Sequence, residues 1–238
     1  MTYNYRKICF TCLRAEKSCL CSKIAAFKTN TKFVILMHPK EAKKQKVGTG
    51  RVSSLLLSNS EIIVGINFIE NKQVNLYLES DNHQCFVLYP GELALNLSNK
   101  ESSLHNLKTY KENIIFVIDG TWPCAKKMMK LSNNINSLPR ICFTPSEQSR
   151  FAIKHQPDKY CLSTIEALYF TIDSLIQRDL ESKDLPHHQM MDILDHIVKY
   201  QMDKASDPTV PGYRKVPYKD QDERSLAVRW KKRKIYFD

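Results

Sequence analysis

Ile114-Ile115-Phe116-Val117-Ile118 is an unbroken apolar run that stops at an acid and a glycine, Asp119-Gly120. A run of this length without polar alternation reads as a buried strand. A helical pattern, Ala125-Lys126-Lys127-Met128-Met129-Lys130-Leu131, follows at once. Asp119, Gly120, Thr121 and Trp122 therefore fall in the turn at the carboxyl end of a strand. In open α/β sheets, ligands bind at that end. The plainer reading makes Thr121 a helix cap, Pro123 a first-turn residue and Trp122 core. Asp119 is the residue which that reading explains least.

Other segments repeat the strand–helix alternation. Lys32–Met37 reads as a strand ending at His38-Pro39, and a basic loop then leads through Gly48-Thr49-Gly50-Arg51 to a helix over Leu55-Leu56-Leu57. Strands are expected at Glu61–Ile66, Cys85–Leu88 and Arg140–Phe143, with helices at Ser163–Arg178 and His187–Met202. Glu166 stands three residues after Ser163, the spacing of a capping box. The pattern predicts an α/β fold with a largely parallel sheet and flanking helices. Residues 1–30 form a cysteine-bearing segment, 31–202 the α/β unit and 203–238 a basic tail, expected to be extended. His187 and His188 are adjacent, so they do not share a helix face, and both are expected at the surface.

Four of the eight cysteines are crowded together as Cys9, Cys12, Cys19 and Cys21. Thiolates in two such close pairs can share one tetrahedral ion, and a closed four-thiolate set is structural rather than catalytic. Zinc is the expected metal. Disulfides are the rival reading, disfavoured in a chain that looks intracellular. Cys85, Cys124, Cys142 and Cys161 are scattered and default to core packing. The first residues run into the cysteines without an apolar stretch, so no secretory signal is expected, and no apolar run reaches the ~18 residues of a spanning helix. The compartment expected is the cytoplasm.

The formal net charge is +11. A basic balance of this size favours a polyanion, nucleic acid before membrane. Lys231-Lys232-Arg233-Lys234 is one dense cluster and Lys40–Lys46 another. The first is either a solvated end or an arm for phosphates. Oligomeric state is not legible.

Taken in order, several motifs resemble those of the DTW-domain family. They are Cys9, Cys12, Cys19 and Cys21; His38-Pro39-Lys40-Glu41; Thr49-Gly50-Arg51; Leu88-Tyr89-Pro90; and Asp119-Gly120-Thr121-Trp122. Leu138-Pro139-Arg140, Ser149-Arg150-Phe151 and Leu162-Ser163-Thr164-Ile165-Glu166-Ala167 complete the series. Gly48, where Asn is expected, and Pro123, where a polar residue is more usual, depart from the pattern. The resemblance implies a SPOUT-like knotted α/β fold. It also implies a tRNA-uridine aminocarboxypropyltransferase, which moves the 3-amino-3-carboxypropyl group of S-adenosylmethionine to uridine N3 and releases 5′-methylthioadenosine.

On that resemblance Asp119, Thr121 and Trp122 are the catalytic candidates, with Asp119 accepting or orienting the N3 proton or holding the substrate. Cofactor contacts are expected from Thr49, Leu88, Tyr89, Pro90, Ile118, Leu138, Arg140, Tyr160, Leu162, Ser163 and Thr164. Arg51, Arg150, Lys231, Lys232, Arg233 and Lys234 are the RNA-binding candidates, since arginine suits phosphate. Two rival functions remain. A SPOUT-like RNA methyltransferase would use the same cofactor, and a non-catalytic zinc-bearing RNA-binding protein would use none.

Overall fold

The computed structural model describes residues 7–44, 48–99, 111–153 and 161–207. Strand β1 (Lys32–Met37) leads through helices α1 (Pro39–Lys44) and α2 (Thr49–Leu56) to β2 (Glu61–Val64). Helix α3 (Lys72–Glu79) precedes β3 (His83–Leu88) and the two-residue β4 (Leu95–Asn96). Then come β5 (Glu112–Asp119), α4 (Trp122–Leu131), α5 (Asn133–Asn136) and β6 (Arg140–Cys142), followed by α6 (Thr164–Ile176) and α7 (Gln189–Ser206).

The six strands form one sheet in the order β2-β1-β5-β3-β6-β4. Every neighbouring pair is parallel. This bears out the α/β, parallel-sheet expectation. Side chains alternate along a strand, and here both faces are covered, which explains the continuous apolar runs. Phe33 and Ile35 of β1, with Ile115 and Val117 of β5, pack with Val52 and Leu56 of α2 and residues of α6 and α7. Val34, Leu36, Ile114 and Phe116 face the other way, onto Val74 of α3, Met128 and Met129 of α4 and Ile135 of α5. Leu20 and Phe27 of the cysteine-bearing segment join the first of these cores.

Some boundaries differ from expectation. Thr49-Gly50-Arg51 is the first turn of α2, not a loop leading to it. Strand β2 stops at Val64 and β6 at Cys142. Helix α6 ends earlier than Arg178, because the chain turns left-handed at Asp179 (φ 58°), a conformation Asp tolerates. Helix α7 runs on to Ser206, so the chain is still helical at Asp203, where an extended tail was expected. His187 is a plain correction: it is buried, not at the surface. Its ring stacks on Tyr169 with centroids 5.2 Å apart, and its Nε2 lies 3.4 Å from Asp173 Oδ1. His188 is exposed as expected. Of the scattered cysteines only Cys161 is fully buried. No helix among the described residues is long and apolar enough to cross a membrane.

Candidate active site and cysteine centre

Strands β1 and β5 end side by side, with Met37 paired to Asp119. The chain leaving β1 goes to one side, toward β2, and the chain leaving β5 goes to the other, toward β6. Such a divergence opens a crevice at the carboxyl edge of the sheet. Asp119 sits at this point as the last residue of β5. It is buried, and its Oδ1 accepts a 2.6 Å hydrogen bond from Thr164 Oγ1 at the start of α6. Its carbonyl accepts from the His38 backbone N–H at 2.8 Å. A Cβ at Gly50 would lie 2.4 Å from Asp119 Oδ2. The first turn of α2 can therefore lie against the carboxylate only because position 50 carries no side chain.

Beside this junction lies a cavity of about 600 Å³, within the usual range for small-molecule sites. Leu88, Tyr89, Pro90, Gly91 and Asn96 form one wall, after β3. Val117, Ile118, Gly120, Trp122 and Ala125 form the second, around the end of β5. Ile141 to Ser146, the end of β6 and the chain after it, form the third, and Leu162, Thr164 and Ala167 close it from the start of α6 and the chain just before it. Trp122 is half-buried and meets Tyr89 edge-on, with centroids 6.3 Å apart. The Arg140 guanidinium stands 5.3 Å over the Tyr89 ring and donates to the Pro90 carbonyl (3.3 Å) and Asn136 Oδ1 (2.9 Å). Arg140 thus braces the wall from behind. Burial raises the Tyr89 phenol pKa against the opposing pull of Arg140, so the ring is neutral.

The expected residues divide by position. Leu88, Tyr89, Pro90, Ile118, Trp122, Leu162 and Thr164 line the cavity. Asp119, Thr121, Thr49, Leu138, Arg140 and Ser163 are not among the residues lining it. Thr121 precedes α4 as its N-cap and is exposed. Ser163 is the N-cap of α6 and closes the expected capping box with Glu166. Thr49 is buried at the start of α2, and Leu138 packs on the second core. Arg150 is ion-paired with Glu147 at 2.9 Å and Asp195 at 3.3 Å, and Arg51 is half-buried on α2. Tyr160, Lys231, Lys232, Arg233 and Lys234 lie outside the described residues.

Three features were not read as site features from sequence. The Phe143–Ser146 wall is irregular chain with no motif. Glu166 does more than cap: its buried carboxylate also accepts from Ser149 Oγ (3.0 Å) and the Arg150 N–H (2.7 Å), fixing the loop before α6. His38 is buried beside Gly120, and its Nδ1 accepts from the Lys40 N–H at 3.1 Å. Burial lowers its pKa below the usual imidazole range, and Lys40 and Lys127 add to this against Glu41. The signal for His38 was its place at the end of β1, level with Asp119.

The cysteine centre is separate. The four Sγ atoms of Cys9, Cys12, Cys19 and Cys21 lie within 4.8 Å of one another, the one such metal-capable group among the described residues. Cys9 and Cys21 sulfurs are 3.7 Å apart, and Cys12 and Cys19 sulfurs 3.8 Å. Sulfurs at ~2.3 Å from a tetrahedral zinc stand about 3.8 Å from each other. The spacing fits that ion and is far too long for a disulfide. Backbone N–H groups of Cys12 and Thr11 draw the Cys9 thiol down to about 6, while desolvation and the neighbouring thiols push Cys21 up to about 12. Four thiols this close cannot all ionise without a cation among them.

A family model described as the DTW domain matches residues 6–202. Among curated proteins, tRNA-uridine aminocarboxypropyltransferase 2 of Macaca fascicularis is 29% identical over 164 residues, 68% of this chain and 54% of that protein. The Mus musculus protein of the same name is 30% identical over 165 residues, with the same shares. That of Drosophila melanogaster is 27% identical over 208 residues, 85% of this chain and 78% of that protein. The chain spans about half the length of the first two relatives. No solved structure gives a significant match.

Proposed function

The chain belongs to the DTW-domain family, and from that premise we propose that it transfers the 3-amino-3-carboxypropyl group of S-adenosylmethionine to N3 of a uridine in tRNA. The observation that carries this reading is the cavity between the ends of β3, β5 and β6, walled by Trp122 and Tyr89 and floored by Thr164. The names of the three relatives point to the same chemistry.

Bound S-adenosylmethionine supplies a sulfonium, a leaving group good enough that orientation becomes the protein's main task. The new bond joins uridine N3 to the aminocarboxypropyl carbon, the carbon–sulfur bond breaks, and the sulfur leaves as neutral 5′-methylthioadenosine. Leu88, Tyr89, Pro90, Ile118 and Leu162 are the residues placed to hold the cofactor. Thr49, Leu138, Arg140, Ser163 and Tyr160 complete the proposed set, the first four from behind the walls. Thr164 both lines the cavity and donates to Asp119. With its hydrogen committed to the carboxylate, its oxygen is free to accept from uridine N3–H. Asp119 then takes the proton through Thr164 rather than directly. Thr121 holds the entry to α4, and Trp122 supplies an apolar face for the base or adenine.

N3 lies on the Watson–Crick edge, so the target base enters unpaired or flipped. Arg51, Arg150 and Lys231–Lys234 are the proposed phosphate contacts. The knotted, SPOUT-like arrangement is proposed too. It rests on the family resemblance, with which a parallel sheet in the order β2-β1-β5-β3-β6-β4 is compatible. A structural zinc on the four cysteines and a cytoplasmic location complete the reading, the latter supported by eight cysteines that form no disulfide.

The test is to incubate the protein with S-adenosylmethionine and transcribed tRNAs, then weigh the nucleosides and identify the by-product. Uridine gaining one aminocarboxypropyl group with release of 5′-methylthioadenosine is expected. S-adenosylhomocysteine and a methylated nucleoside would make it a methyltransferase instead. Unchanged tRNA, with no retention of S-adenosylmethionine, would leave a binding protein.

A further inference from the structure

The cysteine-bearing segment presents an apolar tip that no part of the proposed reaction uses. Ile8 bridges Ala15 in antiparallel fashion, and the Cys9 N–H bonds the Arg14 carbonyl at 2.8 Å, so residues 9–14 form a tight hairpin. Cys9 and Cys12 turn inward to the other two sulfurs. Phe10, between them, turns outward and is 95% exposed; Ile8 and Leu13 are half exposed on the same hairpin. Single exposed apolar residues are ordinary, but an aromatic ring bared in full beside two aliphatics is a patch.

The surroundings say what kind of partner suits it. Lys7, Lys17, Lys23 and Lys28 are exposed around this segment, against a single exposed acid, Glu16. Among the described residues none of these lysines forms a salt bridge. A bare aromatic on a segment that carries four exposed lysines is a composition that binds single-stranded nucleic acid: the ring stacks on a base and the cations hold the flanking phosphates. An uncharged lipid surface or an apolar protein face would leave the lysines uncompensated at the contact, whereas the proposed substrate is itself a polyanion. None of these residues lines the cavity.

We propose that this hairpin is a second RNA-contact surface, distinct from the cavity, in which Phe10 stacks on an unpaired base of the tRNA and Lys7, Lys17 and Lys23 contact its backbone. The proposal rests on the reading of the substrate as tRNA. It adds that the RNA is gripped at a nucleotide other than the one modified. The four-cysteine centre, on this view, holds the ring at a fixed place and angle.

The test uses the full chain with its metal, transcribed tRNA, and the variants Phe10→Ala and Phe10→Trp. Base–aromatic stacking predicts that Phe10→Ala weakens tRNA binding about 5- to 150-fold. Transfer at saturating tRNA should keep its rate, so that KM rises and kcat does not. Phe10→Trp should bind as wild type, and its added emission should be quenched by tRNA. Metal content measured on each variant guards against a collapsed centre; if Phe10→Ala loses metal, the Phe10→Trp quenching decides. Wild-type affinity in Phe10→Ala, or an unquenched Phe10→Trp, overturns the proposal. So does loss of self-association in Phe10→Ala with tRNA binding intact, which would make the patch a protein interface. If the wild type transfers nothing but the Phe10 effect on affinity stands, the proposed reaction fails and this surface survives. If transfer is found and Phe10→Ala binds normally, the reverse holds.

Discussion

Asp119 touches the cavity through another residue, and that indirectness can be measured. Its carboxylate is held by Thr164 and pressed against Gly50. Asp119→Asn keeps the size but removes the charge, so turnover should fall ~10²–10⁴-fold, the range for a lost acid–base group. Affinity for S-adenosylmethionine should change far less. Single-turnover transfer beside calorimetry separates the two quantities, and near-normal transfer would leave Asp119 a turn residue. Thr164→Ser should retain most activity and Thr164→Val should resemble Asp119→Asn. A Thr164→Val variant as fast as wild type would break the proposed relay. Gly50→Ala should also lower turnover, since its new Cβ would overlap Asp119 Oδ2 unless the helix or the carboxylate moves.

At the scale of elements, the cysteine centre gives the sharpest expectation. Metal analysis should find one zinc per chain, and Cys9→Ser with Cys12→Ser should abolish it. Because Leu20 and Phe27 pack into the main core, losing the ion should also lower the melting temperature of the α/β unit. A zinc-free chain of unchanged stability would sink the assignment. This centre was legible because ligand spacing is a local property. Strands β1 and β5 were legible because burial on both faces writes a continuous apolar run. The two-residue β4 and the four-residue α5 were not, being too short to carry a period. Helix α3 was missed because Val74 is its only fully buried residue. His187 was misjudged because sequence shows that two histidines are adjacent but not that Tyr169 reaches over one of them. The wall at Phe143–Ser146 depends on where irregular chain runs, which no pattern encodes.

Across the whole molecule, two consequences follow from charge. Burial comes first in lowering the pKa of both His38 and His196 below the usual 6.5, and nearby cations add to it. Below about pH 6.5 the unfolded chain binds these protons and the folded chain resists them, so stability is present above that pH and is lost as pH falls toward the folded pKa values. Denaturation midpoints should drop as pH falls below about 6.5, and His38→Gln with His196→Gln should flatten the fall; an equally steep profile in that variant would point to other groups. The net charge of +11 predicts tRNA affinity that declines steeply with salt. Neutralising Lys231, Lys232, Arg233 and Lys234 should reduce the log–log slope by about three if all four meet phosphates, and an unchanged slope would make that stretch a solvated end. The order of the strands bears on a different matter, the making of the protein. The central strand β5 pairs with β1 and β3, yet it comes about eighty residues after β1. During synthesis β1, β2 and β3 leave the ribosome before the strand that joins them. Such long-range parallel pairing is slow to form. For that interval the inner edges of β1 and β3 offer open backbone to any neighbouring chain, so the nascent protein is most at risk of misassembly along the seam that is best protected once it has folded.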